Sequence, residues 1–141
     1  MKICLYLYKE VMILMGKKKI SNESSESEEK LLSIESIASK DGIKKHEKSI
    51  WKMVELFVAL SDPTRVKILL LLIDGEKSVG RLAKDLDMSS SRVSYQLRIL
   101  KHLNLVKRKR EGKFIKYFIA DEHVIEVLNV AFYHVAEYME L

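Results

Sequence analysis

Residues 78–103 read SVGRLAKDLDMSSSRVSYQLRILKHL, and the fold turns on this stretch. Behind Ser78, whose hydroxyl suits a helix N-cap, Val79, Leu82, Ala83 and Leu86 recur at three- and four-residue intervals. That spacing predicts a short amphipathic helix running to about Leu86. Asp87-Met88-Ser89 interrupts the pattern. A second helix is predicted from about Ser90 to Leu103, with Val93, Leu97, Leu100 and Leu103 as its buried stripe. Two helices joined by so brief a turn are a helix-turn-helix candidate. The stripe on the second helix leaves Ser90, Ser91, Ser94, Tyr95, Arg98 and Lys101 facing outward. Short hydroxyl side chains at a helix start can reach base edges or phosphates, and the helix N-terminus itself attracts phosphate. Tyr95 can donate a hydrogen bond or pack on a thymine methyl group, and Arg92 can contact a phosphate or a guanine. The same features also describe an ordinary solvated helix face with a serine cap, so the flanking sequence has to decide between the two.

Downstream, Leu105–Lys109 and Phe114–Ile119 read as two strands around Arg110-Glu111-Gly112-Lys113, a glycine-containing hairpin. Lys107, Lys109, Arg110 and Lys113 on that hairpin would track a nucleic-acid backbone electrostatically. Asp121–Leu141 is amphipathic, with Val124, Val127, Leu128, Ala131 and Val135 on one side. Upstream, Ser61-Asp62-Pro63 stops one helix and starts another: an Asp or Ser oxygen caps, and proline suits the first turn because its missing N–H is unneeded there. The helix from Pro63 is apolar nearly all round (Val66, Ile68–Ile73), as expected of a helix buried at the domain centre. Before it, His46–Leu60 places Ile50, Val54, Phe57 and Val58 at helical spacing with Trp51 packed beside them. A short helix from Leu31 is expected to end at Asp41-Gly42. The predicted fold is mainly α with a small β-hairpin wing, a winged helix-turn-helix spanning residues 31–141.

The chain has 141 residues, room for one domain with a modest core plus a tail. Its formal charge of +5 is mild, but the distribution is uneven. Ser89–Lys116 carries nine basic residues against one acid, Glu111, whereas Ala120 onward carries five acids and no Lys or Arg. The two segments are therefore expected to make different contacts. The lone Cys4 excludes an intramolecular disulfide and a thiolate zinc cluster within one chain, and fits a reducing, cytoplasmic compartment. The first sixteen residues are apolar but broken by Lys9 and Glu10, and fall short of the ~20 needed to span a bilayer. The basic run Lys17-Lys18-Lys19 follows rather than precedes them, the wrong order for a secretory signal. They read as a dispensable tail, or as residues upstream of a true start at Met12 or Met15. Ser21–Lys30 (SNESSESEEK) has nothing to bury and reads as a disordered linker, so residues 1–30 stand apart from the domain.

The residues also carry a family resemblance. Leu56-Phe57-Val58-Ala59-Leu60-Ser61-Asp62-Pro63-Thr64-Arg65-Val66-Lys67-Ile68-Leu69 resembles the signature of the ArsR/SmtB metalloregulatory repressors. Ser91–Leu97 resembles their recognition-helix core, and Leu105-Val106 through Arg110-Glu111-Gly112-Lys113 to Tyr117 resembles their wing. The likeness covers roughly Trp51–Glu137, with three separated motifs in the right order. It implies a winged-helix homodimer that represses transcription from double-stranded operator DNA until an inducer binds. Tyr95 stands where many members have His, and Ser90 where Gln is common, so operator preference does not carry over.

The resemblance also frames a metal site. One family site uses a Cys-x-Cys pair, but the matching positions here are Ser78 and Gly80, which removes it. The other lies on the C-terminal helix, and Asp121-Glu122-His123 with His134-Val135-Ala136-Glu137 follows its pattern at the spacing of zinc-sensing members. His123 and His134 are eleven positions apart. They share a helix face but lie about 16 Å apart along the axis at ~1.5 Å per residue. Zinc–nitrogen bonds are only ~2.0–2.1 Å, so one chain cannot bring both to one ion. Antiparallel packing of two such helices across a two-fold axis would let Asp121 and His123 of one meet His134 and Glu137 of the other. Two imidazoles and two carboxylates suit zinc, and cobalt or nickel could share the set. The expected function is a metal-responsive repressor released from DNA by zinc. The alternatives are a winged-helix repressor without metal response and a protein–protein interaction module. No nucleophile–base pair or phosphate-binding glycine loop suggests an enzyme, and no membrane contact is expected.

Overall fold

The computed structural model describes residues 34–139; the tail and linker expected over residues 1–30 lie outside the described residues. The chain divides after Ile37 into two units. Of the first, one helical turn is described, α1 (Ile34–Ile37). The second contains α2 (Lys40–Lys45), α3 (Glu47–Leu60), α4 (Pro63–Ile73), β1 (Lys77–Ser78), α5 (Val79–Asp85), α6 (Ser90–His102), β2 (Val106–Glu111), β3 (Phe114–Ile119) and α7 (Glu122–Met139).

The stop expected at Asp41-Gly42 is not there: α2 runs straight through both residues. The start signal one turn earlier overrides it. Ser39 is extended (φ −140°, ψ 158°) and its hydroxyl accepts the Gly42 N–H at 2.9 Å, while Asp41 lies in the first turn where the helix dipole favours an anion. Asp62 does the same for α4, its Oδ1 accepting the Arg65 N–H at 3.0 Å with Pro63 in the first turn, as the sequence predicts.

The core is assembled from Ile68, Leu69 and Leu72 of α4, Leu82 and Ala83 of α5, and Val93, Leu97 and Leu100 of α6, closed by Leu105, Val106, Val124 and Leu128. Each fully buried Leu or Ile contributes about 1.5–3 kcal/mol of transfer free energy. The helix-turn-helix is thus the centre of the core. Leu82, Ala83, Val93, Leu97 and Leu100 of the predicted stripes are buried, Val79, Leu86 and Leu103 are half-buried, and Gln96 is buried without having been expected there. Two apolar faces are not where the pattern puts them. In α4, Leu70 and Ile73 face outward, so that helix is not buried all round. In α3 the buried or half-buried residues are Ile50, Leu56, Ala59 and Leu60, so of the expected stripe only Ile50 is covered, whereas Trp51, Val54, Phe57 and Val58 are exposed. An amphipathic stripe shows that a face seeks cover without saying which surface provides it. Likewise α7 buries Val124 and Leu128 against its own chain, but Ala131 and Val135 are exposed.

The sheet has order β1-β3-β2, antiparallel throughout. β2 and β3 pair from Val106↔Ile119 to Glu111↔Phe114 around a two-residue turn. Gly112 occupies its first central position with φ +59°, the left-handed value that glycine adopts without steric cost. β1 adds two pairs, Lys77↔Tyr117 and Ser78↔Lys116, and ties the wing to the start of α5. This strand has no sequence signal: two residues show no alternation.

Candidate nucleic-acid interface and metal-ligand set

Both helices of the helix-turn-helix end in the same way. At the end of α5, the Met88 N–H donates to Ala83 O at 2.9 Å and the Asp87 N–H to Lys84 O at 3.3 Å. At the end of α6, Leu105 N–H donates to Leu100 O at 2.9 Å and Asn104 N–H to Lys101 O at 3.1 Å. These are the paired bonds of a Schellman cap, which needs a left-handed residue at its centre. Asp87 (φ 51°) and Asn104 (φ 56°) fill that place without glycine. Asp and Asn tolerate it better than other side-chain-bearing residues. The first cap aims α6 away from α5, and the second turns the chain from α6 into the wing.

On α6, Ser89 is the cap, its hydroxyl accepting the Arg92 N–H at 3.3 Å. The hydroxyls of Ser90 and Ser91 follow it on the exposed surface. Val93, Gln96, Leu97 and Leu100 are buried. Ser90, Ser91, Arg92, Tyr95, Arg98 and Lys101 are exposed and Ser94 is half-buried, so the outward face contains every α6 residue predicted for it. Tyr95 is 58% exposed, leaving its phenol available to a groove.

The wing is less freely cationic than its sequence. The register places Lys109 directly opposite Lys116, a like-charge pair that destabilises a ladder unless each charge is answered. Both are answered. Lys109 Nζ lies 2.6 Å from Glu76, in the turn before β1, and Lys116 pairs with Glu111 across the hairpin. The hydrogen bond from Lys116 holds the Glu111 carboxyl below its ordinary range, and Glu111 raises the Lys116 ammonium in return. Lys107 Nζ donates to Ala120 O at 3.1 Å, Arg110 Nε to Gly112 O at 3.0 Å, and Lys113 lies 5.4 Å from the centre of the Phe114 ring. All four predicted wing cations are exposed, and Lys109 alone of them is ion-paired among the described residues. The acids at positions 76 and 111 had no signal in the sequence, since their partners are set by register.

The predicted metal ligands fall into two pairs. Asp121 precedes α7 and its Oδ1 accepts the His123 N–H at 3.1 Å; the same oxygen lies 3.4 Å from His123 Nδ1. Two ligands of one tetrahedral ion, each bound at about 2.0–2.1 Å, stand about 3.3 Å apart, so this pair has the spacing one ion requires. His134 and Glu137 lie near the other end of α7, both exposed, with the His134 ring edge-on to Tyr138 at 5.1 Å. Within one chain, no three His, Cys, Asp or Glu side chains among the described residues come together as a metal group.

A family model described as "Bacterial regulatory protein, arsR family" matches residues 62–108, from the α4 cap through α6 into the wing. The chain is 41% identical over 86 residues to a cadmium resistance transcriptional regulatory protein CadC homolog of Staphylococcus aureus, a match covering 60% of this chain and 71% of that relative. The chain belongs to the ArsR family. This ArsR-family chain is also 40% identical over 86 residues to a transcriptional repressor SmtB homolog of Synechocystis, covering 61% of the chain and 65% of the relative. Among solved structures, the homodimeric winged helix-turn-helix DNA-binding domain of a possible ArsR-family regulator from Mycobacterium bovis aligns with a TM-score of 0.63 at 29% identity. That alignment covers 67% of this chain and 89% of the domain. The ArsR-family chain is accordingly a winged helix-turn-helix transcriptional regulator and not an enzyme. Among the described residues, no helix is long and apolar enough to cross a membrane.

Proposed function

We propose that this protein is a cytoplasmic, metal-responsive repressor that binds operator DNA as a homodimer and is released by zinc, with cobalt or nickel able to share the site. The observation that carries the reading is the two-sided α6: one face is locked into the core, and the other offers hydroxyls, Tyr95 and Arg98 beside a basic wing. A major groove admits one such helix, and a two-fold dimer presents two of them about 34 Å apart to an inverted repeat. The dimer is supported by the uncovered apolar faces of α3 (Trp51, Val54, Phe57, Val58) and α7 (Phe132, Tyr133, Val135, Tyr138), a larger set than a lone domain ordinarily exposes.

Asp121 and His123 of one protomer, with His134 and Glu137 of its partner, are the residues that would hold the ion. When bound there, zinc supplies a closed tetrahedral tie between two C-terminal helices. Asp121 holds His123 at the start of α7. A ligand histidine uses its second ring N–H to bond a nearby carbonyl. By family resemblance, for His134 this is the backbone near Asn104, where α6 passes into the wing. Coupling of about 1–3 kcal/mol along this route is enough to derepress a promoter.

The test is fluorescence-anisotropy binding to promoter DNA with and without zinc, for wild type and His134→Ala. Zinc-dependent release in wild type alone is the expected result. Tight binding indifferent to zinc would leave a repressor without this sensor. An absence of salt-dependent, sequence-selective DNA binding would favour a protein-interaction module instead.

A further inference from the structure

α3 ends without a basic residue in its last turn, so the last carbonyls of that helix look elsewhere for donors. Ser61 answers Val58 O with its N–H at 3.3 Å and its hydroxyl at 2.7 Å, and the remaining donors come from the next helix. The Arg65 side chain, only 13% exposed, folds back from the first turns of α4 and spreads its guanidinium over three elements. Its Nε donates to Ala59 O and its Nη2 to Val58 O at 3.0 Å, both at the C-terminal end of α3. Its Nη1 reaches Gln96 Oε1 at 3.3 Å, on α6, and lies 4.0 Å from the Asp62 carboxylate. Gln96 is the one polar side chain in the core among the described residues, at 9% exposure. A planar fork with donors on separate nitrogens can join a helix end to a side-chain amide at once, which an ammonium cannot do with fixed geometry.

We propose that Arg65 is a positioning residue for DNA reading: through Gln96 it fixes the orientation of α6 against the C-terminal end of α3. Gln96 lies on the buried side of α6, next in sequence to Tyr95, and the Arg65 guanidinium is engaged by Val58 O, Ala59 O and Gln96 Oε1 with its side chain only 13% exposed. The bond therefore acts on where Tyr95 and Arg98 stand, not on charge. α3 also bears the apolar face read above as the dimer contact, so the same joint holds each recognition helix in register with the two-fold axis. This step rests on the operator-binding reading. Other core contacts hold α6 in the fold, whereas this contact is a polar one that demands a defined angle between α3 and α6.

The experiment compares wild type, Arg65→Lys, Gln96→Met and the double variant in anisotropy titrations against promoter and random-sequence DNA over a range of salt. Lysine keeps the cation at the end of α3, and methionine keeps the volume of Gln96, so each removes the bridge while leaving the core filled. Each single variant should lose operator affinity by about fivefold to tenfold, in line with the net worth of one typical hydrogen bond. Binding to random DNA and the salt slope should stay as in wild type, and the double variant should lose no more than either single one. Losses that multiply in the double variant, operator affinity equal to wild type, or a salt slope shallower by about one phosphate contact would each overturn the inference. If wild type itself does not distinguish promoter from random DNA, the operator reading falls, and this inference with it. Normal wild-type discrimination with multiplying losses overturns the inference alone.

Discussion

Asp87 and Asn104 carry the bends of the DNA-reading unit on single left-handed residues, φ 51° and 56°. The left-handed conformation costs about 1–2 kcal/mol for L residues in general, a cost that the short polar side chains of Asn and Asp offset by local hydrogen bonding and that a β-branched side chain, with two substituents on Cβ, bears in full. Asn104→Val should therefore destabilise the fold by about that amount, whereas Asn104→Gly should be neutral or slightly stabilising; urea unfolding of the three proteins checks both signs. The cap at Asp62 gives a different signature. The backbone N–H of Arg65, followed by the charge of its guanidinium, holds the Asp62 carboxyl below its ordinary value of 3.8. A carboxylate with a depressed folded value stabilises the native state above its unfolded value, and that contribution is lost as pH falls through the folded one. Asp62→Asn keeps a capping oxygen but removes the charge. Wild type should exceed it in stability at neutral pH, and the difference should close as pH drops below about 3.8. An unchanging difference down to low pH would show that the charge plays no part.

At the scale of elements, the wing's cations are partly held by acids, and this sets a salt dependence. Releasing Lys109 from Glu76 with Glu76→Gln should strengthen DNA binding at low salt. The slope of log K against log salt should steepen by up to about 0.9 if the freed ammonium meets a phosphate. Arg98→Ala should instead erode discrimination between operator and random DNA, by about 1–3 kcal/mol if it reads a base. The recognition helix and hairpin were legible because each has a strong local signal: a stripe at 3.6-residue spacing, and Gly112 in a turn that needs positive φ. β1 was not legible, because two residues carry no period and its pairing with Tyr117 and Lys116 is a long-range choice. The Asp41-Gly42 stop misled because a serine cap two residues upstream of Asp41 outweighs one glycine within a helix. Of the α3 stripe Ile50 is half-buried, but the residues that meet this chain's own core are Leu56, Ala59 and Leu60, because spacing marks a face and not the surface that covers it. In sequence Arg65 is no more than one position of the Ser61–Arg65 segment. Its role depends on where α3 ends and α6 passes, which no local pattern encodes.

For the whole molecule, the decisive property is that the proposed ligand set is divided between chains. Asp121 and His123 stand together at one end of α7, and His134 and Glu137 toward the other, with about 16 Å of helix between the two histidines. Both the proposed ligands and their division between two chains are expectations from the sequence, and within one chain only Asp121 and His123 of the four stand together. A site of this kind has a consequence that a site within one chain lacks. In a homodimer of His123→Ala chains both sites lose a ligand, and so they do in a homodimer of His134→Ala chains. In a mixed dimer the His134→Ala chain still offers Asp121 and His123, and the His123→Ala chain still offers His134 and Glu137. One of the two symmetry-related sites is then complete and the other lacks both histidines. Each variant alone should give no tight tetrahedral cobalt(II) absorbance. Unfolding and refolding them together, which makes about half of the dimers mixed, should restore roughly a quarter of the wild-type signal. Zinc should compete that signal away, since both ions accept the same nitrogen and oxygen donors. If mixing restores nothing while both variants still dimerise and bind promoter DNA, the ligands do not meet across the two-fold axis. The sensing role of α7 would then have to be given up, leaving the DNA-binding reading in place.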